Sequence, residues 1–308
     1  MRVKKSFNKM KCLVVGLGSM GQAHLKSLIS ISEIKKIYLY DVNKKKLLKL
    51  KKKNNDKIEI LDSLKKRNSY HLAIIATNSL ERYKVLKSLI RFNNVKKILL
   101  EKFPFTKISE FKMFQNKKNY FTDNKIHINS WGFYLAKSLN LKIIPTEIIV
   151  KTSSKNFLSN LIHYADIFLY FNKKRKYSID LSQLKKKKFN NTRKKYSEKR
   201  GKISLNSKTL KLEYLYDHKL KNIFEIFFAN ENKIFFQVKL NNYMKLELIN
   251  RNKKYVDFPT ASILTKKYFY ETLRYKHSKI FSSPRILKFC EFFLKQINQM
   301  KIKNFYIT

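Results

Sequence analysis

The strongest constraint on this chain is the hexapeptide Gly16-Leu17-Gly18-Ser19-Met20-Gly21. The whole sequence has only 5 glycines, and three of them fall in this window. Random placement at that frequency would give the pattern in about one such chain in a thousand, so chance is a poor explanation. An apolar run over 12–16 precedes it and a helical pattern over 19–31 follows. That is the strand–turn–helix setting a G-x-G-x-x-G needs. Gly16 permits the tight turn, Gly18 lets the backbone approach a pyrophosphate, and Gly21 lets the helix pack closely on the strand. The helix N-terminus, with the amides of Ser19 and Met20, offers partial positive charge to phosphates. Asp41 closes the next predicted strand, 20 residues beyond Gly21. Its carboxylate can accept hydrogen bonds from adenosine ribose hydroxyls and would repel a 2′-phosphate, which favours NAD. Lys44 and Lys45 stand just behind and could hold that phosphate instead, so NADP stays open. Asp41 could also cap a helix over 43–53.

Strand and helix patterns alternate through the first part of the chain. Strands are expected at 12–16, 36–40, 58–61, 71–76, 97–101 and 125–129, with helices at 19–31, 43–53, 80–91 and 108–117. Short connections between such units imply a doubly wound parallel sheet. The pattern then changes. A strand at 148–151 precedes an amphipathic helix at 160–171. A stretch at 173–202 holds 14 Lys+Arg against Asp180 and Glu198 and reads as a solvated loop with little packing. Strands at 203–216, 223–228, 234–240 and 243–249 read as an antiparallel meander, with turns at 229–232 and 241–242. Helices follow at 261–275 and 284–297, the last opened by Ser282, Ser283 and Pro284. The expected architecture is α/β: a Rossmann dinucleotide-binding domain over 1–128, then an α+β domain for substrate and oligomerisation over 129–308, with an open, mostly antiparallel sheet.

The net charge of +48 would ordinarily point to nucleic acid or an anionic membrane. Its make-up argues otherwise. Only 10 of the 69 basic residues are Arg, the residue of bidentate base and phosphate recognition. Lys, Asn, Ile, Phe and Tyr are abundant and Ala, Gly and Pro scarce, as a bias toward A/T-rich codons would produce. Specific nucleic-acid binding is therefore not expected, although anionic small ligands are favoured. No apolar run reaches the length of a membrane span. Two cysteines, Cys12 and Cys290, exclude a disulfide scaffold and fit a reducing cytoplasm. The six histidines show no metal-ligand spacing, so no metal is expected.

The segments VVGLGSMGQAHLKSL, YDVN, LAIIATNSLERY and ILLEKFPF resemble the Gfo/Idh/MocA oxidoreductases. NFLSNLIHYADIFLYF and PTASILTKKYFYETL resemble family members of surface-polysaccharide biosynthesis. The resemblance implies a Rossmann domain joined to an α/β domain with an open sheet, a homo-oligomer, and an NAD(P)-dependent redox step at a carbon of a sugar or nucleotide sugar. Glu101-Lys102 matches the family's Glu-Lys-Pro motif, whose Lys lies near the nicotinamide, but here Phe103 precedes Pro104. Thr77-Asn78 matches a cofactor-touching turn, and Arg82 stands where many members have His. His163 and Asp166 match the His-x-x-Asp of the catalytic helix, while Ser159 and Asn160 replace the Asp found upstream in many members.

On that basis His163 would move the hydroxyl proton, a task suited to imidazole. Lys102 would stabilise the developing alkoxide. Asp166 would orient His163 or accept a sugar hydroxyl, and Asn160 would orient substrate. Asn160, His163 and Asp166 share a helical face at spacings of three. Asn129, Trp131 and Arg82 are further candidates for substrate contact. The competing reading is a non-catalytic NAD(P)-binding or sensing protein of the same fold.

Overall fold

A computed structural model describes residues 10–53, 56–115, 125–173, 176–185, 189–190, 197–250, 253–274, 278–281 and 283–300. The apolar runs of the first part become six parallel strands: β1 (Met10–Val15), β2 (Ile34–Tyr40), β3 (Ile58–Ile60), β4 (Ser69–Ile75), β5 (Asn94–Leu100) and β6 (Ile126–Ile128). Their order is β3-β2-β1-β4-β5-β6. Leu13, Val14, Ala73, Ile74, Ile98 and Leu99 are fully buried, as strands covered on both faces require. The order reverses between β1 and β4, and the carboxyl ends of strands at such a switch point are where open α/β sheets bind ligands. Four helices alternate with these strands: α1 (Ser19–Ile29), α2 (Lys44–Lys53), α3 (Ser79–Phe92) and α4 (Ile108–Gln115).

Short polar side chains set two of the helix starts. Asn78 Oδ1 accepts from Glu81 N at 3.0 Å and caps α3. Asn43 Oδ1 accepts from Lys46 N at 3.0 Å, so Asn43 rather than Asp41 caps α2. Asp41 is left for another task.

The second sheet has eight strands in the order β16-β15-β14-β13-β7-β12-β11-β8. They are β7 (Glu147–Thr152), β8 (Ser178–Asp180), β11 (Lys202–Asn206), β12 (Lys211–Tyr216), β13 (Phe224–Asn230), β14 (Lys233–Leu240), β15 (Lys245–Ile249) and β16 (Lys253–Asp257), while β9 (Phe189–Asn190) and β10 (Ser197–Glu198) form a separate ribbon. Four helices accompany them in the chain: α5 (Gly132–Leu139), α6 (Phe157–Phe171), α7 (Ala261–Arg274) and α8 (Ser283–Gln299).

Several expectations change here. The run 203–216 is two strands, because Ser207 Oγ accepts from Leu210 N at 3.0 Å and turns the chain. The meander is interrupted: β7 lies between β13 and β12 and runs parallel to β12. Helix α5 and strand β16 were not expected at all, being short and, for β16, mostly polar. The basic stretch 173–202 is partly packed. Ile179, Leu181 and Leu184 are buried and β8 pairs with β11, so apolar spacing prevailed within a charged context. Residues 174–175, 186–188 and 191–196 of that stretch lie outside the described residues. Ser283 is the first residue of α8 and Pro284 the second, while Ser282 is also outside. Helix α6 is buried on nearly every side, with only Asn160, Tyr170 and Phe171 not fully covered, rather than amphipathic.

The chain divides into two compact units. One comprises Met1–Phe105, Ser109–Asn129 and Thr260–Ser283; the other comprises Thr106–Ile108, Ser130–Pro259 and Pro284–Thr308. The expected boundary near residue 128 thus omits α7, which returns to the first unit and packs on α1. There Ser27 Oγ donates to Ser262 O at 2.9 Å and Ser262 Oγ to Ala23 O at 3.2 Å. Small hydroxyl residues let the two helix backbones approach, a tertiary fact that strand and helix periodicity does not carry.

The β13–β14 turn places Glu231 and Asn232 at φ 48° and 64°. Both central residues of a two-residue hairpin then have positive φ, where Asn-Gly is preferred. The double substitution Glu231→Asn/Asn232→Gly should raise stability by about 1 kcal/mol, or a few degrees in Tm by circular dichroism. A lowered Tm would show that the turn is not strained.

Candidate functional site

The glycine turn at the end of β1 has the shape its sequence implies. Gly16 adopts φ +86°, and a Cβ there would lie 2.7 Å from Thr77 N. A Cβ on Gly21 would sit 1.8 Å from Gly16 O, so only glycine lets α1 come this close to the turn. A Cβ on Gly18 would meet nothing within 4 Å. This open position faces the start of α1, where Gly18 supplies no side-chain cap and no acidic residue occupies the first turn. The first-turn amides, Ser19 and Met20 among them, therefore keep the positive end of the helix dipole for an anion.

Asp41 closes this turn from β2. Its Oδ2 accepts from Leu17 N at 2.5 Å and its Oδ1 from Asn43 N at 2.8 Å. Each carboxylate oxygen has a second lone pair, so the group can still accept from a ligand. Thr77, in the turn after β4, has a buried Oγ1 with no hydrogen-bond partner among the described residues. Buried hydroxyls rarely remain so, and a bound ligand is one way to satisfy this one. The open space at Gly18, the Asp41 carboxylate and the Thr77 hydroxyl fit a dinucleotide. Asn78, the neighbour of Thr77, is exposed and spends its side-chain oxygen on the α3 cap.

The end of β5 carries a denser polar arrangement. Glu101 is only 5% exposed. Its Oε1 accepts from His24 Nε2 at 2.8 Å and from Asn129 Nδ2 at 2.6 Å. His24 Nδ1 lies 2.6 Å from Thr265 Oγ1, whose own proton goes to Ala261 O at 2.7 Å. Both ring nitrogens of His24 thus face acceptors. Burial alone would raise the Glu101 carboxyl, but the hydrogen bonds and charge of His24, the amide of Asn129 and the charge of Arg82 outweigh it and bring the pKa down to about 2. Glu101 is therefore an ionised anchor joining α1, β5, β6 and α7. Asn129, expected to touch substrate, is one of its ligands. Lys102 follows directly and is half-buried.

Arg82, 3% exposed, points into the same region. Its Nη1 donates to the carbonyls of Glu101, Lys102 and Phe103 at 3.0, 2.8 and 2.7 Å, and its Nη2 donates to Thr77 O. Phe103 is at φ 50°, in the left-handed region. The residue that separates Lys102 from Pro104 is thus accommodated by a reversal of the backbone.

In the second unit, α6 and the start of α5 meet. Gly132 is required there, since a Cβ would lie 1.8 Å from His163 O. Asp166 Oδ2 accepts from Phe133 N at 3.1 Å and satisfies a first-turn amide of α5. His163, 7% exposed, turns Nδ1 toward Ser130 Oγ at 3.3 Å. Its ring stacks on Trp131 with centroids 4.6 Å apart, and Phe224 stacks on Trp131 at 5.4 Å. Two protein rings thus stack on the indole, and Trp131 buttresses His163. Ser159 Oγ donates to Asn156 O at 3.2 Å, and Asn160 Nδ2 donates to Ser154 Oγ at 2.9 Å. Sequence reasoning missed His24, Ser130 and Thr265. The one available signal was His24, three residues after Gly21 on the inward side of α1.

Among the described residues, no group of three or more His, Cys, Asp or Glu is placed to hold a metal, and no helix is long and apolar enough to cross a membrane. No family model and no curated protein matches the chain significantly. Solved structures do resemble it. A dehydrogenase (MviM) from Clostridium difficile superposes with TM-score 0.69 at 14% identity, over 95% of this chain and 100% of that one. UDP-N-acetylglucosamine 3-dehydrogenase GnnA from Acidithiobacillus ferrooxidans gives 0.64 at 11%, over 94% and 97%. Scyllo-inositol dehydrogenase from Lactobacillus casei, solved with NAD(H) and scyllo-inositol, gives 0.64 at 14%, over 92% and 94%. The chain has the two-part fold of these dehydrogenases, with a Rossmann-type parallel sheet and a mostly antiparallel second sheet. This is the fold the Gfo/Idh/MocA resemblance implies.

Two glycine substitutions separate folding from binding. Gly21→Ala should cost about 2–4 kcal/mol in urea unfolding, because a methyl would enter backbone. Gly18→Ala should change stability by only about 0.5 kcal/mol. It should nevertheless weaken binding of a dinucleotide, read by fluorescence titration with NADH and NADPH, by at least about tenfold. Equal effects of the two on either readout would contradict this geometry.

The Glu101 carboxyl has a folded-state pKa below its ordinary 4.5, so its stabilisation is present above that pH and is lost as pH falls from there toward about 2. Glu101→Gln should therefore cost about 3 kcal/mol at neutral pH. The gap from wild type, followed by urea unfolding, should shrink across that acid window. A gap independent of pH would mean that Glu101 is not held ionised.

Proposed function

We propose that the protein is an NAD(P)-dependent oxidoreductase of the Gfo/Idh/MocA type, acting on a CH–OH carbon of a sugar or nucleotide sugar in surface-polysaccharide biosynthesis. The observation that carries the reading is the glycine turn facing open space at Gly18, beside the buried, unpartnered Thr77 hydroxyl. The first-turn amides of α1 would hold the pyrophosphate, Asp41 would accept ribose hydroxyls, and the Thr77 hydroxyl would gain its missing partner. When bound, the nicotinamide accepts or supplies the hydride.

The chain's own residues handle the accompanying proton and charge. Lys102 would donate to the substrate oxygen and stabilise the alkoxide as it forms. His163, with Nδ1 turned to Ser130, would exchange the hydroxyl proton at Nε2. Asn160 would orient the sugar. Asp166 caps α5 through Phe133 N and would orient His163 or accept a sugar hydroxyl, while Ser159 stands where many family members carry an Asp. NAD is favoured over NADP because the Asp41 carboxylate lies against the glycine turn. A nucleotide sugar suits the charge, since an anionic substrate is drawn to a basic protein.

The reading is tested by NAD⁺ and NADP⁺ reduction, followed by nicotinamide absorbance, across a panel of UDP-sugars that includes UDP-N-acetylglucosamine. Lys102→Ala and His163→Ala should each lower kcat by about 10²-fold or more, with NAD⁺ affinity within a few-fold of wild type. A wild-type protein that binds NAD⁺ yet reduces it with no member of the panel would favour the non-catalytic, dinucleotide-sensing alternative.

A further inference from the structure

We propose that Arg82 is a positioning residue for Lys102: its guanidinium pins the peptide planes on both sides of Lys102, and so sets the direction in which that side chain leaves the backbone. The proposal rests on the role given to Lys102 above. Its structural basis stands independently.

The carbonyl of Glu101 belongs to the peptide before Lys102, and the carbonyl of Lys102 to the peptide after it. Both accept from Arg82 Nη1, at 3.0 and 2.8 Å, and Phe103 O joins them at 2.7 Å. In an extended strand successive carbonyls alternate in direction, so three in a row cannot converge on one nitrogen. Here the chain turns, with Phe103 at φ 50° and its ring 3% exposed. A bulky residue without a local polar side chain rarely adopts that conformation, and surrounding structure must hold it there. The two N–H groups of the buried, charged Nη1, shared among these three carbonyls, supply the hold. Ahead of the turn, Glu101 is fixed by its backbone N–H, which donates to Ile75 O at 3.1 Å, and by its side-chain hydrogen bonds with His24 and Asn129.

The same guanidinium reaches Thr77 O through Nη2. It thereby ties the turn after β4, which carries the buried Thr77 hydroxyl, to the turn after β5, which carries Lys102. The planar fork of Arg allows this span, with one nitrogen serving each turn. The single ammonium of Lys does not offer two separated donor atoms. Arg at this position is thus a coupling device between two loops, since both terminal nitrogens of its guanidinium are engaged with backbone carbonyls.

Hydrogen–deuterium exchange of Arg82→Lys and Arg82→Gln tests the clamp without any substrate. Peptides covering 77–80 and 101–105 should both exchange at least about tenfold faster than in wild type, while those covering 16–21 and 157–171 should not change. Unchanged exchange at 101–105 overturns the proposal. If neither variant folds, native-state exchange of the wild type in rising urea decides. The two segments must open with the same urea dependence, and separate openings overturn the clamp. The kinetic arm uses NAD⁺ with the UDP-sugar that supports turnover. Arg82→Lys should lower kcat at least about tenfold, with the KM for NAD⁺ within about threefold. Adding Arg82→Lys to Lys102→Ala should cause no further loss, because the positioned group is already gone. A fully additive loss would assign Arg82 a general structural role and sink the proposal. Absence of turnover in wild type counts against the enzymatic reading alone, since the exchange result stands by itself.

Discussion

The carboxylate of Glu101 is buried where β5 ends, and four separate elements are arranged around it. His24 reaches it from α1, Asn129 from the residue after β6, and His24 in turn is held by Thr265 on α7. A buried anion is costly unless it is paired and fully hydrogen-bonded. Each of these contacts therefore restricts where its helix or strand can sit. The result is a fixed base at the carboxyl ends of the parallel strands, beside the glycine turn. Lys102 is presented from that base, and Arg82 completes it by gathering the carbonyls of the same turn. Polar groups thus do at the strand ends what apolar packing does in the middle of the sheet.

The second unit solves a similar problem with rings. Helix α6 is nearly surrounded, and its first turn lies on β12, where Phe157 and Tyr214 stack with centroids 4.1 Å apart and Tyr214 OH donates to Phe157 O. At its far end, Arg285 of α8 donates to Leu169 O at 3.1 Å. Between these points His163 lies against Trp131, and Asp166 binds the start of α5. The three residues at spacings of three on α6 share a region, and each also has partners on other segments. Asn160 is tied to Ser154, His163 faces Ser130 and Trp131, and Asp166 faces Phe133. A helical face tells which side chains are neighbours without telling which of them form bonds.

The large positive charge plays little part in this architecture. Several lysine ion pairs, such as Lys36–Glu59 and Lys245–Asp257, join side chains with substantial exposure. Exposed pairs of this kind contribute little to stability. The polar contacts that organise the fold use Glu101, Arg82, His24 and short amide or hydroxyl side chains instead. These were hard to see in a sequence with 59 lysines. Arg82 stood out only as a departure from a family pattern, and Thr265 and Ser130 had no distinguishing signal.

What the residues determined alone was local and periodic. Six parallel strands, their helices and the glycine turn were legible because buried strands are apolar throughout and because glycine is so scarce that its clustering carries meaning. The positions of Asp41, Thr77 and Lys102 at strand ends followed from the same pattern. Tertiary structure decided what periodicity cannot encode: that β7 enters the later strands beside β12, that α7 returns to the first unit, and that β8 forms within a basic stretch. It also decided the partners of the polar groups: Asn129 binds Glu101, Trp131 stacks on His163, and Asp166 caps α5. The physical reason is the same in each case. A hydrogen bond or a ring contact depends on distances between residues remote in the chain, such as His24 and Thr265, and those distances exist only once the chain has folded.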